Sequence, residues 1–256
     1  MCMMMAAAEV RSTNIFATHH AGKQVLVYEA AISTAESNAM VLPIPVRSSA
    51  TPVELLDLSA FPSLFDDLKH YYEGPEFPVI VFGGPPGKLE VFTVGSFSAS
   101  IVPSRADLFR LDDRFRLSSG LDELLAGRYG DWAFVIYQLA PGRHQLHPFG
   151  VVFESRYAEH LFYPTLHVHD GAHAPEQANF AHRFYGQKAN LDKRERSFVQ
   201  RNPVPVPPPP GCSYGPRDPW RIVPAMPSFV DLREPLDSAS RFGAFPNVDM
   251  YATRSG

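Results

Sequence analysis

Apolar and polar positions along this chain alternate with a period of two far more often than with a helical period. From Lys23, KQVLVYEAAIS is β-branched and aromatic with near alternation, and NAMVLPIPV follows after the polar turn STAESN, which predicts a strand pair. Pro43 and Pro45 lack backbone donors, so the second of these strands is expected to end, or to lie at a sheet edge, by that point. WAFVIYQLA, the Pro141-Gly142 turn and HPFGVVFES predict another hairpin. LFYPTLHVHD, the loop GAHAPEQ and ANFAHRFYGQ predict a third, and PVIVF and LEVFTV, joined across Gly83 to Lys88, one more.

Helical signals are fewer. Ser63-Leu64-Phe65-Asp66 opens a run in which Leu64, Phe65, Leu68, Tyr71 and Tyr72 recur at helical spacing up to Gly74, which predicts a helix from Ser63 to Glu73. Its His70 reads as a helix-surface residue. Thr51-Pro52-Val53-Glu54 places Thr, Pro and Glu where the N-cap, first and third positions of a helix want them. A short helix is expected over Gly120 to Ala126, started by Ser118 or Ser119. From Asn202 the text becomes NPVPVPPPPG, which favours polyproline II because each ring fixes φ and removes a donor.

The resulting fold class is α+β and β-rich, with antiparallel sheets and a few short helices. The expected organisation is one core over 1–201, a proline-rich linker over 202–211 and an extended tail over 212–256 that wraps its own domain or docks on a protein partner. No internal repeat of fixed period interrupts this layout.

Composition narrows the partners. With 45% hydrophobic and 12% aromatic residues the body has ample surface to bury, although 25 prolines shrink the part that packs. A formal charge of -4, with KRER at Lys193 to Arg196 as its densest basic run, argues against nucleic acid or an anionic membrane as partner. Two cysteines, Cys2 and Cys212, make no disulfide framework, and neither a signal peptide nor an apolar run of roughly 20 residues is visible. A cytoplasmic chain acting on a small molecule or peptide is the expectation.

Three features bear on chemistry. Gly83-Gly84-Pro85-Pro86-Gly87-Lys88 invites comparison with a phosphate-binding loop, but Phe82 stands where the first glycine belongs and Leu89 where Ser or Thr binds magnesium, so a plain turn is expected. Leu166-His167-Val168-His169-Asp170-Gly171 is the strongest local signal. On a strand His167 and His169 share one face, and a hairpin closing over 171–177 would bring His182 opposite them, with Asp170 or Glu176 at the rim. Imidazoles so placed suit a divalent transition metal such as Zn, Fe or Cu, which makes His167, His169 and His182 the candidate metal ligands. The competing reading is a set of exposed strand histidines.

The third feature is Cys2. Loss of Met1 would leave a cysteine at the amino terminus, where the α-amino group can act as base for its own thiol, as in an N-terminal-cysteine amidohydrolase, so Cys2 is the candidate catalytic residue. Cys2 with Met3, Met4 and Met5 is also a set of soft donors suited to Cu(I). QVLVYEAAISTAESNAMVLPIPV with the following VELLDLSAFPSLFDDL resembles, over roughly the first 70 residues, a group of uncharacterised bacterial proteins with a VLPVP-type strand end near an N-terminal cysteine. That resemblance implies export, which the missing signal peptide opposes, and brings no activity. The function expected first is therefore a histidine-lined, metal-binding site, with the cysteine amidohydrolase and a non-catalytic interaction protein as alternatives.

Overall fold

A computed structural model of the chain describes residues 2–73, 98–111, 117–191, 199–201 and 226–254. The turn expected at 83–88 with its flanking strands, the basic run at 193–196 and the proline run at 202–210 lie outside them.

Strands β1 (Cys2–Met4), β2 (Ala8–His20), β3 (Lys23–Thr34), β4 (Asn38–Ile44) and β5 (Val53–Leu56) precede helix α1 (Leu64–Glu73). After β6 (Ala99–Val102) and a 3-10 turn (Arg105–Arg110) comes helix α2 (Ser119–Tyr129). Then follow β7 (Ala133–Leu139), β8 (Gly142–Phe153), β9 (His160–Tyr163), β10 (His167–Val168), β11 (Gln177–Gln187), β12 (Ala189–Asn190), β13 (Val199–Arg201), β14 (Leu236–Pro246) and β15 (Met250–Arg254). A five-stranded sheet runs β10-β1-β4-β7-β6, a seven-stranded sheet β13-β14-β11-β2-β3-β8-β5 and a three-stranded sheet β12-β15-β9. Strands dominate, as the period of two predicts, but the sheets are mixed: β1 runs parallel to β10 and β2 parallel to β11.

The expected hairpins are corrected as a group. β3 and β4 go to different sheets, as do β7 and β8, and β10 and β11. The reason is visible in β3, which is covered on both faces. Leu26 and Tyr28 enter the main core, while Val25 and Val27 join a second apolar layer with Leu64, Phe65, Leu68 and Tyr72 of α1. A polar turn serves a chain crossing from one sheet to the other as well as one folding back on its own partner, so turn chemistry alone does not choose between them. A tight hairpin does form between β2 and β3, where His20 pairs with Lys23 across Ala21 and Gly22, both at positive φ.

Thr51 to Glu54 does not start a helix. Val53–Leu56 pairs instead with Gly150 to Phe153 of β8, whose outer edge would otherwise be bare. β4 meets the expectation drawn from its prolines: the β1 ladder stops at Val41, and β4 ends at Ile44. α1 begins within a residue of its expected start, and α2 is capped by Ser118, whose hydroxyl accepts from Leu121 N–H at 3.1 Å. Residues 236–254, part of the expected extended tail, form β14 and β15 within two of the sheets.

Where strands end, four side-chain amides take over the ladder. Gln24 accepts from Phe162 N–H (3.2 Å) and donates to its carbonyl (2.7 Å). Asn38 does the same for Ala6 (3.0 and 3.0 Å), Gln187 for Asp231 (3.0 and 2.7 Å) and Asn247 for His167 (2.6 and 2.9 Å). Each satisfies one donor and one acceptor of a backbone that a strand does not reach on that side. Gln24→Leu keeps the bulk and removes the pairing, orphaning two buried groups on β9 at roughly 1–3 kcal/mol each. Urea unfolding is expected to register a loss of roughly 2–6 kcal/mol for the two groups together, and an unchanged midpoint would show that the β9 backbone finds other partners.

Candidate functional site

The site grows from β10, a strand of two residues that could not stand alone. On one edge it pairs with β1, Cys2 opposite His167 and Met3 opposite Val168. Beyond that ladder its backbone is held by the turn between β14 and β15. The Asn247 amide clamps His167, while the Asp249 carboxylate accepts from Thr165 N–H (2.8 Å), Leu166 N–H (3.1 Å) and the Tyr129 hydroxyl. Burial lifts the Asp249 carboxyl above its usual range, and these three donors pull against that shift.

Gly171, at φ +77, lets the chain pass so close to Met5 that a Cβ would stand 2.2 Å from the Met5 carbonyl oxygen. The Ala8 N–H donates to the His169 carbonyl beside it (3.0 Å). The N-terminal strand and the histidine segment are therefore locked along most of their shared length.

His167, His169 and His182 do converge, though not through the expected hairpin. His182 sits on β11 in the other sheet, and the two sheets packed face to face bring its ring to a centroid distance of 4.9 Å from His167. His169 stacks on His167, also at 4.9 Å and with 26° between the planes. His167 and His182 are 5% and 2% exposed, so they are core residues and not surface histidines. Phe180 and Phe184 line the same face of β11, Phe180 lying 4.3 Å from His167.

Arg241, the ladder partner of His182 on β14, is buried too, with its guanidinium over the rings of Phe180, Phe184 and Phe245 at 5.6, 5.9 and 5.7 Å. Sequence reading missed Phe180, Arg241, Asn247 and Asp249. For Phe180 the signal was present: Phe180, His182 and Phe184 alternate, which marks His182 as inward-facing.

Electrostatics keep the cluster neutral. Burial, and then the positive amino terminus, lowers His167 to about 2 and His169 to about 4. His182 is pushed well below the ordinary imidazole value by burial, the amino terminus, its two histidine neighbours and Arg241. The Asp170 carboxylate does not join them. It accepts from the Ala172 and His173 N–H groups (2.9 and 2.8 Å) and contacts the exposed His173 ring. Nε2 of both His167 and His169 is buried with no hydrogen-bond partner among the described residues.

The structure thus brings Cys2 and the histidines, two separate sequence signals, to one place, since Cys2 is the register partner of His167. As the rings lie, no three described His, Cys, Asp or Glu side chains are gathered for a single ion. Three surface cavities of about 720, 420 and 410 Å³ open elsewhere, and none is lined by His167, His169 or His182. No described helix is long and apolar enough to cross a membrane.

No sequence-family model matches the chain. In three dimensions it aligns with the crystal structure of baculovirus P35 over 100% of both chains, with a TM-score of 0.58 and 11% identity. The chain has the fold of baculovirus P35. A mutated P35 solved after caspase cleavage aligns over 96% of this chain and 100% of its own, at a TM-score of 0.46 and 11% identity. At such identity the P35 likeness establishes the fold alone, and the histidine cluster stands on its own chemistry.

Proposed function

We propose that this chain is a protein-interaction module whose partner is a protease of the caspase class. The observation that carries the reading is the alignment, along the whole of both chains, with P35, a protein for which a caspase-cleaved form has been solved. Its support is that the alignment spans the whole of both chains and not a shared fragment.

The test is direct. Purified full-length chain is incubated with a panel of caspases, chain integrity is followed by mass spectrometry, and residual protease activity is followed with a fluorogenic peptide. The expected result is cleavage at a single site, or loss of protease activity in proportion to added chain. An intact chain together with undiminished activity at molar excess, across the panel, overturns the reading.

A further inference from the structure

Side chains close several of the sheet margins in this molecule. The outer edges of β9 and β10 are taken by the Gln24 and Asn247 amides, and β5 carries Glu54, which accepts from the Lys23 ammonium at 2.6 Å. β6, the last strand of the five-stranded sheet, has no such protection among the described residues. Its sequence, Ala99-Ser100-Ile101-Val102, holds neither a charge nor a proline, the residues with which native edges are blunted, and Ile101 is 40% exposed.

The register with β7 says which backbone groups of β6 are open. Gln138 N–H donates to the Ser98 carbonyl (2.9 Å), after which Ala99 faces Tyr137, Ser100 faces Ile136 and Ile101 faces Val135. Antiparallel neighbours alternate between bonded and non-bonded pairs, so Ser98 and Ser100 turn their backbone groups toward β7, while Ala99 and Ile101 turn theirs outward. No described strand lies on that side. The 3-10 turn over Arg105–Arg110 walls the edge, across a cavity of about 410 Å³ lined by Ile101, Val102, Pro103, Asp107, Arg110 and Leu111. Asp107 and Arg110 are paired with each other at 3.3 Å, so together they bring no net charge to the edge. Phe109, 79% exposed, stands on the same turn.

We propose that β6 pairs antiparallel with β6 of a second copy of this chain, about a two-fold axis at Ser100, joining their five-stranded sheets into one. The edge is complementary to itself in this register. Ala99 falls opposite Ile101 of the second copy, so each outward N–H meets an outward C=O, and the larger Ile101 side chain lies beside the smaller Ala99 on one face. Ser100 falls opposite Ser100 of the second copy, where the hydroxyls can bond to each other. A foreign strand would also satisfy the backbone, but the match of Ala99 to Ile101 about a two-fold, with no charge on β6 to repel its own copy, selects this chain. The contact is small, so a weak dimer that depends on concentration is expected.

Sedimentation velocity of the full-length chain, from dilute solution to its solubility limit, measures the association. A monomer–dimer equilibrium is expected, weakened on the order of tenfold or more by A99P and by I101K. The first removes an outward donor from each copy without touching the β7 ladder, and the second places a cation at the seam. L55K, the same change on the exposed edge of β5, should leave the equilibrium unaltered. S100C should form an intermolecular disulfide under mild oxidation, located by peptide mapping to position 100 of both copies, because non-bonded antiparallel neighbours stand about 4.5 Å apart at Cα. I101C, whose counterpart is displaced along the strand, should not. Thermal unfolding checks each variant, and the S100C link carries the test should A99P and I101K both unfold. A monomer at every concentration, or a dimer that A99P and I101K both leave unchanged, overturns the proposal, and so does a dimeric S100C that forms no link.

Discussion

Metal-free protein is expected to lose stability steeply as the pH falls from 6.5 to 5. In the folded chain His167 and His169 are lowered to about 2 and about 4 and His182 well below its ordinary value, chiefly by burial. In the unfolded chain all three titrate near 6.5. Between those limits the unfolded state binds more protons than the folded one, so acid favours unfolding, and above about 6.5 the dependence vanishes. Each histidine contributes at most about 1.4 kcal/mol per pH unit, so three give a limiting slope of about 4 kcal/mol per unit. A typical domain has a total stability of only about 5–15 kcal/mol. His19, also lowered by burial, acts in the same direction. The carboxylates held low, such as Asp231 and Asp170, act only near and below pH 4, while Asp249 and Glu29, raised by burial, take up protons more readily in the folded chain and oppose the loss, so the fall between 6.5 and 5 is driven by the imidazoles. Urea midpoints measured across it in chelator should fall sharply, and H182F, which suits the gap between Phe180 and Phe184, should remove about a third of the slope. A flat midpoint would mean that the folded cluster accepts protons freely, which its packing does not allow.

Asp249→Ala is expected to be the most damaging single change in the C-terminal segment. It would leave the Thr165 and Leu166 N–H groups and the Tyr129 hydroxyl without their acceptor in a buried setting, a loss of roughly 3–5 kcal/mol for a broken charged network. Asp249→Asn keeps one acceptor oxygen and removes the charge that burial opposes, so an intermediate loss is expected. Hydrogen exchange should locate the effect: amides of 165–168 should open first in Asp249→Ala, because only the Asn247 clamp and the Thr165 hydroxyl on the Val248 carbonyl would then hold that side of β10. A loss under about 1 kcal/mol would show that β1 pairing suffices to hold it.

What was legible in the sequence was local. The period and first-turn chemistry of α1, the Ser118 cap of α2 and the shared face of His167 and His169 follow from spacing alone, and each is present. What was not legible depended on remote partners. Thr51-Pro52-Val53-Glu54 reads as a helix start until the bare edge of β8 is known. STAESN reads as a hairpin turn, although β3 and β4 belong to different sheets. The C-terminal segment shows no period because β14 packs only part of its length, yet β11 recruits it. The histidine cluster stands between the two extremes. Alternation placed His167 and His169 together, but the arrival of His182 required sheet packing, and the arrival of Cys2 required a parallel pairing across most of the chain.

That pairing governs the order in which the molecule can be assembled. Cys2 and Met3 are made long before one of their two neighbouring strands, which is not synthesised until residue 167, and the clasp that holds it waits for residues 247 and 249. The seven-stranded sheet has the same dependence, since β2 and β11 run parallel across a long crossover and β11 is bordered by β14. Non-local ladders of this kind close slowly, because much chain entropy is lost before any contact rewards it. A nascent chain therefore carries one edge of the apolar Met3–Met4 segment and one edge of β2 exposed until β10 and β11 emerge, a state that calls for chaperone shelter.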